Sequence, residues 1–74
     1  MNSIEKINNL IEKKRNKRAE ILGTVRTINS FRNELGSQRV IDTIAVLIKA
    51  DRKLKIEIDA LKQKVNEIYE QSGG

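Results

Sequence analysis

Cysteine, histidine, proline and tryptophan are all missing from the chain. Without cysteine there is neither a disulfide framework nor a thiolate metal site. The absence of histidine removes the other usual zinc ligand and the usual general base near neutral pH, so carboxylates alone remain for either task. With no proline, no ring clash or missing amide donor forces a helix to break, and four glycines must do the punctuating. Phe31 and Tyr69 are the only aromatics, too few for a β-rich core and not interleaved with basic residues as base stacking requires. No apolar run approaches the ~20 residues of a membrane span, and the opening Met1-Asn2-Ser3-Ile4-Glu5-Lys6 lacks a signal h-region. The expectation is a soluble, cytoplasmic protein with no membrane contact.

What is present favours long helices. The 74 residues are 38% hydrophobic and 34% charged, a balance typical of helical bundles and coiled coils. A chain of this length has room for one domain, 1–74, and struggles to bury enough apolar surface alone, so a second copy or a partner is expected. Mid-chain, Gly36-Ser37 has the chemistry of a helix stop followed by a helix start: glycine tolerates a left-handed backbone and serine caps the next N-terminus. The expected order is a helix over about 3–35, a turn at about 36–37, a helix over about 38–70 and a frayed tail at 71–74.

The second arm carries apolar residues at Val40, Ile44, Leu47, Leu54, Ile58, Leu61, Val65 and Ile68, in alternating steps of four and three, with Asp51 in the one missing slot. The first arm repeats the spacing at Ile4, Ile7, Ile11, Ile21, Val25, Ile28 and Leu35, with Lys14, Arg18 and Arg32 interrupting. Asn2, with Glu5 three positions on, is the capping pair expected at its start. Gly23, Thr24 and Thr27 weaken its middle, the glycine by about 1 kcal/mol relative to alanine, and a break there would give three helices, with Ser30 capping Phe31 to Leu35. Folding back about Gly36 sets positions whose numbers sum to about 72 opposite one another, such as Ile28 with Ile44 and Ile7 with Val65. Two apolar seams need not have stayed in phase under one turn, so their agreement predicts an all-α, long antiparallel helical hairpin, a two-helix coiled coil that assembles into a dimeric four-helix bundle.

Three surface features bear on function. Near the turn, Leu22, Phe31, Ile41, Ala45 and Ile48 lie outside the seam and widen the apolar face beyond what a coiled coil needs. This surface fits self-association into a homodimer, or a groove for a different protein. Second, Lys13, Lys14, Arg15, Lys17 and Arg18 are brought by the register beside Arg52, Lys53 and Lys55, a basic belt in a chain of net charge +5. Such a belt attracts phosphates, so nucleic-acid binding is the alternative function, electrostatic and tolerant of sequence. A solvated charged face is the bland explanation of the same residues. Third, Arg18 and Asp51 fall within about one helical turn of each other, which predicts a buried polar pair that fixes register and oligomeric state rather than binding a ligand.

Catalysis finds no foothold. No glycine-rich phosphate loop, Ser/His/Asp set or metal-ligand spacing occurs, so no catalytic residues, cofactor, metal or small-molecule substrate are expected. The run Leu54-Lys55-Ile56-Glu57-Ile58-Asp59-Ala60-Leu61 resembles the helix that opens the small all-α chorismate mutases. Further helices complete the active site of that family, and too little chain follows here to supply them; coiled-coil periodicity alone generates the likeness. The resulting expectation is a non-catalytic helical interaction protein, an adaptor, assembly factor or regulator of a larger protein partner.

Overall fold

A computed structural model describes residues 3–73, and all of the regular structure in it is helical: α1 spans Ser3–Ser30, α2 Arg32–Leu35 and α3 Ser37–Gly73. The long helices follow from propensity and pattern together, since Leu, Ile, Glu, Lys and Arg dominate both arms and the apolar positions recur on one stripe. The two arms pack side by side into a rod with extents of 58 × 18 × 11 Å. Their antiparallel sense is read from two cross-links: Arg18 meets Asp51 and Lys14 meets Glu57, so contacts climb α3 as they descend α1.

Residues predicted for the seam are the least exposed of the molecule. Ile11, Val40 and Ile58 are buried, while Ile4, Ile7, Ile21, Val25 and Ile28 on α1 are half-buried. Ile44, Leu47, Leu54, Leu61, Val65 and Ile68 match them on α3. Arg32 and Leu35 depart from the pattern and stand exposed. The cause is local: the chain breaks at Phe31 (φ −98°, ψ 19°), so α2 no longer continues the phase of α1.

That break lies later than the weak stretch expected to cause one. Gly23, Thr24 and Thr27 all remain inside α1. The threonine hydroxyls donate to carbonyls one turn back, Thr24 to Glu20 and Thr27 to Gly23, each at 3.0 Å. Ser30 does not cap α2: its hydroxyl donates to the Thr27 carbonyl at 2.6 Å, and Phe31, which offers no side-chain cap, takes the N-cap place with its own carbonyl accepting from Leu35. Hydroxyls bonded backwards compete with the backbone ladder, and the helix gives way directly after the last of them.

The turn is a single residue. The Gly36 amide donates to the Arg32 carbonyl and ends α2, and its carbonyl accepts from Val40 and begins α3. Its backbone (φ 89°, ψ 142°) is open to glycine and strained for any residue with a Cβ. Ser37 is therefore the first residue of α3 rather than its cap. Directly beyond, Val40 is fully buried at the end where α2 packs on both long helices.

At the open end, α3 continues to Gly73 where a frayed tail from residue 71 was expected. Ser72 supports the extra turn by donating to the Ile68 carbonyl at 2.9 Å. Gly74 lies outside the described residues, as does Asn2 and with it the expected capping pair.

Candidate functional site

Midway along the rod, Arg18 grips Asp51 with both prongs of its guanidinium: Nε donates to Oδ1 at 2.8 Å and Nη2 to Oδ2 at 3.1 Å. Both residues occupy seam positions and are half-buried, Asp51 the more so. The hydrogen bond from Arg18 holds the Asp51 carboxyl below the usual carboxylate range, more than offsetting the opposing effect of desolvation, with the charges of Arg18 and Lys55 assisting. The same bond raises the affinity of Arg18 for its proton. One turn away on α1, Lys14 lies 3.5 Å from Glu57. This second cross-link was overlooked in the sequence, although 14 and 57 satisfy the same register; Glu57 sits beside the seam position Ile58 rather than on it.

The eight residues of the predicted belt do not form one patch. Lys13, Lys14, Lys17 and Lys53 line a single open depression of about 540 Å³ between the arms. Arg15 lines a different depression on the other side of the seam, together with Glu12 and Lys62. Arg52 and Lys55 are exposed and, ten and seven residues before Lys62 on α3, belong by helical spacing to that second side. Arg18 is committed to Asp51, and Lys14 to Glu57. The two sides therefore differ in kind: one is rimmed by lysine, the other carries mixed charge.

The apolar residues near the turn stay uncovered. Leu22, Phe31, Ile41 and Ile48 are 48%, 51%, 53% and 42% exposed. Ile41, Ala45 and Ile48 follow one another at four and three residues, so they share one stripe of α3. The register sets Leu22 of α1 at the level of Ile48. Phe31 stands apart at the junction of α1 and α2.

No known protein family, curated protein or solved structure matches the chain. Among the described residues, no group of three or more carboxylates could hold a metal ion, and no helix is long and apolar enough to cross a membrane.

Proposed function

We propose that this protein is a small, non-catalytic helical hairpin that pairs with a second copy through the apolar side near the turn and serves as an adaptor, assembly factor or regulator for a larger protein. The observation carrying this reading is surface left over. A compact monomer of 8.5 kDa exposes about 4,700 Å² by the usual scaling of area with mass. The hairpin exposes 5886 Å². The excess of roughly 1,200 Å² per copy is comparable to what each partner contributes to an obligate dimer. Its radius of gyration, 17.1 Å, likewise exceeds the ~11 Å of a compact chain of this length. Pairing along the Ile41, Ala45 and Ile48 stripe supplies burial that two helices cannot provide for themselves.

The phosphate-binding alternative is less favoured, because the belt divides between two sides and two of its members are already paired. Light scattering coupled to size exclusion tests the preferred reading. Wild type should elute at twice the 8.5 kDa of one chain, and the double variant Ile41→Glu, Ile48→Glu should be monomeric. A stable, monomeric wild type ends the proposal.

A further inference from the structure

We infer that the lysine-rimmed groove between α1 and α3 receives an acidic amphipathic helix of a partner protein, its apolar edge on the groove floor and its carboxylates against the lysines. The inference rests on the reading above, to which it adds the chemistry of the partner.

The groove joins two depressions, of about 540 and about 400 Å³, which share Leu10, Lys14 and Glu57. Its floor is apolar: Leu10, Leu54 and Leu61, together with Ala50 and Ala60. Leu10 lies outside the seam and remains 47% exposed, so it offers a large apolar contact that neither arm uses. The two alanines keep the floor low enough for a third helix to approach at ordinary interaxial distance, about 8–10 Å. From Ala50 to Lys64 the groove runs about 21 Å along α3, the length of some four helical turns.

Charge selects the occupant. Lys13, Lys14, Lys17, Lys53 and Lys64 line the groove against a single carboxylate, Glu57, which Lys14 already holds at 3.5 Å. All five basic residues are lysines, whose apolar stems extend over an apolar neighbour while the ammonium groups reach its acidic flanks. Arginine, with its fork suited to phosphate, is absent from the lining. A nucleic acid would cover the leucine floor without burying apolar surface of its own, and no aromatic residue lines the groove to stack on a base. A second copy placed symmetrically in the groove would set these lysines against their own counterparts. An acidic helix with an apolar stripe satisfies floor and rim together.

The test uses the full chain and a synthetic helical peptide of about 20 residues, with leucine at every third and fourth position and glutamates flanking them. Anisotropy titrations compare it with a scrambled peptide of equal composition, a version with glutamine for glutamate, and single-stranded and duplex oligonucleotides. The intact peptide should bind at least about tenfold more tightly than either peptide control and than the oligonucleotides. Leu10→Glu, and separately Lys13→Glu with Lys17→Glu and Lys53→Glu, should each weaken binding by about tenfold or more at unchanged helicity by circular dichroism. Equal affinity for the scrambled peptide, tighter binding of an oligonucleotide, or no binding of the peptide overturns the inference. Light scattering on the same samples separates this failure from that of the self-association reading: loss of peptide binding with the dimer intact removes the groove alone.

Discussion

At the turn end of the rod, where Arg32 stands exposed, the packed seam is apolar, from Ile21, Val25 and Ile28 on one arm to Val40, Ile44 and Leu47 on the other; at mid-rod it carries Lys14, Arg18 and Asp51. The two regions hold the arms together by different means. Apolar burial is strong but non-directional, so the turn end supplies stability while tolerating small slides of one helix along the other. The half-buried ion pair adds little net stability, because desolvation offsets most of the attraction, yet its two hydrogen bonds are satisfied in one register only. Stability and alignment are thus assigned to neighbouring lengths of the same seam.

Substitutions on either side can break or sharpen this contrast. The largest effect belongs to Val40, the one large side chain fully buried among the described residues. Val40→Ala should cost about 2 to 3 kcal/mol in urea melts, and a loss below about 0.5 kcal/mol would show that the turn end is not the stabilising region. Next come two glycines with opposite roles. Gly36→Ala should destabilise by about 1 to 2 kcal/mol, because the positive φ at the turn disfavours a Cβ even though the space is open. Gly23→Ala should stabilise by about 1 kcal/mol, since an added Cβ in mid-helix meets nothing within 4 Å. Thermal melts of both variants check the pair of signs.

The smallest effect is at mid-rod and depends on pH. Since the folded Asp51 carboxyl is held below its ordinary value, the ion pair contributes fully above the unfolded value of about 3.9, and that contribution is lost as pH falls through the lowered folded value. The stability gap between wild type and Asp51→Asn should therefore stay constant from pH 7 to about pH 5 and close below about pH 4. Urea melts at three pH values measure it; a gap independent of pH would remove Asp51 titration from the account.

The seam and the Arg18–Asp51 contact were legible in the sequence because helical spacing encodes which residues face a partner, and one glycine fixes how the two spacings align. Rotation away from the seam was harder to read. Lys13 and Arg15 are two residues apart and look like members of one cluster, but two residues turn a helix through about 200° and place them on different sides. A short separate helix before the turn was legible, but not whether the chain breaks near Gly23 or near Ser30: hydroxyl bonds at Thr24, Thr27 and Ser30 compete with backbone bonds by small margins that propensity does not rank. Near the end of the chain, small residues drew the expected boundary at Glu70, whereas the helix itself carries through Ser72 to Gly73.

Because one glycine both closes α2 and opens α3, the hairpin has no slack at its bend. Adding a single residue there would swivel all of α3 by about 100°, carrying Ile44, Leu47 and Ile58 off their mates together. The two arms are geared to each other through residue 36, and insertions or deletions are best absorbed at the opposite pole, where extra turns can be gained or shed without disturbing the mesh.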